Sequence, residues 1–177
     1  MKLNVGCGPH YAEGWVNVDV TQSDEHNIHP DVLVEAGAPL PFDADSFDLV
    51  YLGHVLEHVP WDQVHKLVED VARVVKPGGR IGIVGPDSKR TLDMWRRGEA
   101  PDWLVDAVLE DDVAYMTPGQ WDGARHQWNC HEARVLLLLE RHGYQASPLV
   151  LTDSADMGDW PLVSDVAWQF GVEVQVP

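Results

Sequence analysis

Two stretches of this chain carry residue types that can do chemistry. The first is Leu3-Asn4-Val5-Gly6-Cys7-Gly8-Pro9, a short apolar run that leads straight into a glycine loop. Gly6 and Gly8 have no Cβ, so the backbone can turn sharply there and come close to a ligand. Eleven residues after Gly8, the apolar stretch Val16-Asn17-Val18 ends on Asp19. A carboxylate at the tip of a neighbouring strand can accept hydrogen bonds from two ribose hydroxyls, so the spacing suits a nucleoside ligand. A dinucleotide site would need a third glycine, and Tyr11 stands in that position. Nicotinamide and flavin cofactors are therefore disfavoured.

The second stretch is His54-Val55-Leu56-Glu57-His58, which matches the H-x-x-E-H pattern of a class of zinc proteases. That chemistry needs both histidines on one helix face and a further acid from elsewhere. Here the pattern starts at a strand end, and Pro60 interrupts a continuous helix. The expectation is a site without metal. Glu57 and His58 read either as caps of the next helix or as contacts to a substrate. His126 and His131, with Trp128 between them, flank the expected sheet edge and are candidates for an acceptor site.

These residues must be held by elements, and the chain supplies them in alternation. Strands are expected at Lys2 to Val5, Val16 to Asp19, Asp31 to Glu35, Phe47 to Leu52 and Arg80 to Gly85. Between the fourth and fifth, Val64, Leu67, Val68, Val71, Val74 and Val75 recur with helical spacing, and Pro77-Gly78-Gly79 stops the helix. Only Pro9 to Trp15 separate the first two strands. A parallel crossover with its helix needs at least ~10–12 residues, so that helix must be reduced to a turn or absent. Asp87 to Arg97 and Asp102 to Val113 look helical, and Asn129 with Glu132 resembles a capping box opening another helix. Tyr144 to Thr152 and Ala167 to Val176 read as two final strands with no helix between them, so they should pair antiparallel. The sum is an α/β three-layer sandwich in a single domain, residues 1–177.

Composition narrows the partners. The chain has 177 residues, 12 basic and 29 acidic side chains, and a net charge of −17. Such a field repels nucleic-acid and phospholipid phosphates and tolerates a cationic ligand. Two cysteines, one inside the glycine loop, do not make a disulfide framework. No apolar run approaches the ~20 residues of a membrane span, and nothing at the start reads as a signal peptide. A reduced, cytoplasmic protein with a small-molecule partner is the expectation.

Taken in order, five motifs resemble the class I S-adenosylmethionine-dependent methyltransferases, most nearly the small type 11 branch. They are Leu3 to Gly8, Val16 to Asp19, Pro39-Leu40-Pro41-Phe42 with Ser46-Phe47-Asp48, His54 to His58, and Val74 to Gly79. The resemblance implies a Rossmann-like, mostly parallel seven-stranded sheet ordered 3-2-1-4-5-7-6 with strand seven antiparallel. It implies S-adenosylmethionine as cofactor and methyl transfer to a small molecule as the reaction. Val5, Gly6, Cys7 and Gly8 would lie against the methionine part. Asp19 would bind the ribose, Val20 would flank the adenine, and Glu35 and Ala36 would stand at its amino edge. Gly53 and His54 would face the transferring methyl. His54 is the first candidate for a general base, with His126 and His131 behind it. The family's N-terminal cap helices are expected to be absent, which would leave residues 86–128 as lid and substrate-recognition element. A nucleic-acid methylase would carry Asn/Asp-Pro-Pro-aromatic after strand four, which this chain lacks. The competing reading is a protein that binds the cofactor without turnover.

Overall fold

The computed structural model describes residues 1–109, 126–151, 160–161 and 166–177. Seven strands make one sheet: β1 (Lys2–Val5), β2 (Val16–Asp19), β3 (Val32–Leu33), β4 (Phe47–Gly53), β5 (Val75–Pro86), β6 (Ala146–Pro148) and β7 (Gln169–Gln175). Their order is β3-β2-β1-β4-β5-β7-β6. β7 runs antiparallel to β5 and to β6, and the remaining neighbours are parallel. Order and direction are those the family resemblance implies.

Alternation along β4 divides the core. Val50 and Leu52 point to a face covered by α1 (Trp61–Val74) and α4 (Glu132–Arg141). Val64, Val68, Val71 and Val74 of α1 and Val135, Leu138 and Leu139 of α4 are buried there. Leu49 and Tyr51 point to the other face, where they meet Val84, Trp160, Trp15, Leu149 and Leu151. Every member of that second cluster comes from a strand or a loop.

The first crossover has no helix. Residues 6–15 hold turns only, and the side chain of Asn17 takes the helix's place. Asn17 Oδ1 accepts from the Ala12 amide at 2.8 Å, and Nδ2 donates to the carbonyls of Ala12 and Trp15 at 3.0 and 3.1 Å. The same Nδ2 reaches Asp31 Oδ2 at 3.1 Å, and Asn4 Nδ2 donates to Oδ1 at 3.0 Å. Fully buried, the amide has all of its polar groups paired, which is what makes its burial tolerable.

Several boundaries differ from the sequence expectation. β3 is two residues rather than the five from Asp31 to Glu35, because Asp31 uses its carboxylate on the Asn17 amide and the Tyr11 hydroxyl. β5 starts at Val75, directly after α1, so Pro77-Gly78-Gly79 lies inside an irregular strand start. β7 begins at Gln169 after a 3₁₀ turn at Val166–Trp168. β6 covers three residues, within the stretch expected from Tyr144. The cap of α4 is His131, not Asn129: its Nδ1 accepts from the Arg134 amide at 3.3 Å. Within 86–128, α2 (Ser88–Arg96) and α3 (Asp102–Leu109) appear as expected. Residues 110–125, with Trp121 and the expected end of the second helix, lie outside the described residues.

Candidate active site

The carboxyl ends of β1, β2 and β4 converge on the glycine loop. The amides of Gly6 and Cys7 both donate to the Val18 carbonyl, at 2.8 and 3.0 Å, which folds the loop back onto β2. Gly6 has φ +65° and Gly8 φ +48°, in the left-handed region that glycine alone enters cheaply. The two glycines serve different ends. A Cβ on Gly6 would sit 2.5 Å from Val55 Cγ2, so this glycine permits close packing against the segment after β4. A Cβ on Gly8 would meet nothing within 4 Å, so this glycine faces open space. A ligand can therefore approach the backbone at Gly8.

Asp19 is 7% exposed and has a role the sequence did not disclose. Its Oδ2 accepts from the Gly8 amide at 2.8 Å and its Oδ1 from the Thr21 amide at 2.9 Å. Each oxygen keeps a second lone pair, enough for one ribose hydroxyl apiece. Val20, Glu35 and Ala36 are exposed at the ends of β2 and β3, and Val34 is tied to Asp19 through their backbones at 2.9 Å. Val5 and Cys7 are buried under the loop. Burial, with the Asp19 charge second, pushes the Cys7 thiol up to about 11.

Across the loop, β4 ends at Gly53 and His54. A Cβ on Gly53 would meet the Tyr51 ring at 2.5 Å. His54 has φ +56°, an uncommon conformation for a non-glycine residue, and its amide donates to the Val84 carbonyl at 2.9 Å. Its Nδ1 lies 3.1 Å from Glu57 Oε1, and its ring centroid lies 5.6 Å from that of Trp168. Glu57 sits on a 3₁₀ turn, Leu56–His58, and is 0% exposed. Burial favours the neutral form of both groups. Their mutual attraction outweighs it, with His58 adding to the pull on Glu57 and Gln169 to that on His54. The net shift is up for His54 and down for Glu57. The result is a buried carboxylate that holds the imidazole at Nδ1.

The other histidines fall into separate places. His126 stacks edge-on against His58 at 5.0 Å, beside the same turn. His131 caps α4. His65 and His142 are half-buried, with Nδ1 of the first 2.9 Å from Nε2 of the second. The structure thus brings Gly6, Gly53, His54 and Glu57 together around Val55 and puts His58 with His126. Sequence reasoning missed Glu57 as the partner of His54. The i, i+3 spacing within the motif was the available signal. Trp128 is buried, whereas Trp95 and Trp103 are exposed.

Residues 3–83 match the family model described as a methyltransferase domain. Over those residues, just under half of the chain, the sequence is similar to the type 11 methyltransferases. Over 82 residues, 43% of its length, the chain is 38% identical to the demethylmenaquinone methyltransferase of Clavibacter sepedonicus, covering 32% of that protein. Over 79 residues, 44% of the chain, it is 33% identical to the demethylmenaquinone methyltransferase of Listeria monocytogenes, covering 31% of it. The chain thus spans about a third of the length of the curated relatives it matches. Among solved structures, a SAM-dependent methyltransferase from Aquifex aeolicus superposes with a TM-score of 0.58 at 16% identity, over 99% of this chain and 81% of that one. A second, from Archaeoglobus fulgidus, gives 0.58 at 12% identity, over 98% and 85%. At such identities the likeness is one of fold. The glycine loop and Asp19 lie inside the matched region, and α2, α3 and α4 lie beyond it. Among the described residues no helix is long and apolar enough to cross a membrane.

Proposed function

We propose that this chain transfers a methyl group from S-adenosylmethionine to a small-molecule acceptor. The observation that carries the reading is the Gly6–Gly8 loop: bonded to the end of β2, open at Gly8, and backed by a carboxylate with two spare lone pairs. Those residues fit the cofactor. The Gly8 backbone and Val5, Gly6 and Cys7 would lie along its amino-acid part, Asp19 would take the ribose, and Val20, Glu35 and Ala36 would border the base. When bound, the cofactor supplies a methyl group activated on a sulfonium.

The protein's own work is then positioning and proton handling. His54, beside Val55 and the loop, accepts a proton at Nε2 from a hydroxyl acceptor, while Glu57 holds Nδ1 and stabilises the imidazolium. His126, against His58, and His131, at the cap of α4, are reserve candidates for acceptor contact. The name shared by the relatives makes demethylmenaquinone the first acceptor to assay. Binding without turnover is the less favoured reading, because a buried carboxylate–histidine pair beside the loop suits the handling of a proton.

The test is calorimetric titration with S-adenosylhomocysteine, followed by product analysis with an acceptor panel. One-to-one binding and accumulation of S-adenosylhomocysteine support the proposal. Absence of binding by the folded protein overturns it.

A further inference from the structure

The 3₁₀ turn after β4 carries a cluster of ligand-type side chains around Glu57, whose Oε1 the proposed proton transfer spends on His54 and whose Oε2 it leaves unused. Glu57, His58 and His126 each offer one ligand atom, and these atoms lie within 4.8 Å of one another. We propose that Glu57, His58 and His126 form a binding site for one divalent transition metal ion, with Zn²⁺ the best match. This goes beyond the methyltransferase reading and does not depend on it.

Four observations carry the site. Glu57 is fully buried, and its Oε2 meets no hydrogen-bond partner among the described residues, while Oε1 lies against His54. A carboxylate oxygen left bare in the interior is costly, and a cation removes the cost. Second, the backbone already fixes both halves of the site. The Gln127 amide donates to the Glu57 carbonyl at 2.6 Å, and Trp128 Nε1 donates to the carbonyls of Leu56 and Val59 at 3.0 and 3.2 Å. These bonds strap residues 126–128 across the turn and set His126 opposite His58, 68 residues earlier in the chain. Third, His126 Nδ1 lies 3.2 Å from the Val108 carbonyl. Donation there fixes the tautomer and aims the Nε2 lone pair away, the arrangement that metal-binding histidines adopt. Fourth, the chain's strongly acidic field favours cations.

The donor set selects the ion. Two imidazoles and one carboxylate suit borderline metals, whereas Mg²⁺ and Ca²⁺ take oxygen cages. Three protein ligands leave a fourth tetrahedral position for water. Bonds of about 2.0–2.1 Å put tetrahedral ligand atoms about 3.3 Å apart, so the three side chains must draw together by rotation. The sequence pattern pointed elsewhere: a protease would pair His54 with His58, whereas His54 here leans on the far oxygen of Glu57, and the second imidazole comes from His126.

The test is titration of chelator-stripped protein with Zn²⁺ against a competing chromophoric chelator, with Co²⁺ absorption as a reporter of tetrahedral ligands. The expected result is one ion per chain with Kd below about 1 μM. His126→Ala should weaken it at least about tenfold, and Glu57→Gln should do the same. His29→Ala, a surface change, should leave it unaltered. Should Glu57→Gln fail to fold, the half-exposed His126 decides alone. Binding weaker than about 100 μM in the parent chain overturns the proposal. So does binding that His126→Ala leaves unchanged.

Discussion

The amide of Gly8 donates to Oδ2 of Asp19 at 2.8 Å, so the residue that the sequence assigns to ribose also holds the glycine loop in shape. The carboxylate proposed for ligand recognition thereby also fixes the loop's conformation.

Asp19→Ala should therefore fail twice. Charge-assisted hydrogen bonds to ribose are worth ~1.5–3 kcal/mol each, and affinity for S-adenosylhomocysteine should fall at least about tenfold by calorimetry. The amides of Gly8 and Thr21 also lose their acceptor, which should cost ~1–3 kcal/mol in urea unfolding. Unchanged affinity in a folded variant would remove Asp19 from the site.

The two loop glycines should separate stability from binding. Gly6→Ala forces a methyl group against Val55 at a positive φ and should destabilise the fold by ~2–4 kcal/mol. Gly8→Val pays only the conformational strain of ~1–2 kcal/mol, yet fills the open space before the loop. It should keep a native far-UV spectrum and lose S-adenosylhomocysteine binding. A Gly8→Val protein that binds normally would make the loop a mere turn.

His54→Asn tests the base. Turnover of a hydroxyl acceptor should drop by ~10²–10⁴-fold while cofactor affinity holds. Equal turnover in variant and parent would move the proton transfer to another group.

Cys7 gives a pH prediction. Its thiol is held up to about 11 by burial and then by Asp19, against an ordinary 9.0. Between those values the folded chain keeps the proton and the unfolded chain releases it. The thiol's contribution to stability is complete below 9.0 and disappears as pH rises towards 11. Native protein at pH 8 should resist iodoacetamide at Cys7, as read by mass spectrometry, and react once unfolded. Rapid native labelling at pH 8 would contradict the burial of this sulfur.

What the sequence disclosed follows from range. Hydrophobic period alone placed β1, β4 and α1, because strand and helix patterns are local and each of these elements buries one unbroken face. The glycine loop and Asp19 were legible because they sit eleven residues apart on adjacent strands. The failures involve competition for side chains. Asp31 was counted as strand but serves Asn17 and Tyr11, and His131 rather than Asn129 caps α4. The meeting of His58 with His126 depends on a strap formed in the folded state, which no local pattern encodes.

The Asn17 amide that stands in for the first crossover helix has a dynamic consequence. A helix frays from its ends, one hydrogen bond at a time. The segment from Ala12 to Trp15 hangs instead on one side chain that touches Ala12, Trp15 and Asp31 together. Rotation of that single amide would break all of these bonds at once. The segment should behave as one cooperative opening unit in amide hydrogen exchange, with the protection of Ala12 reporting on the whole of it.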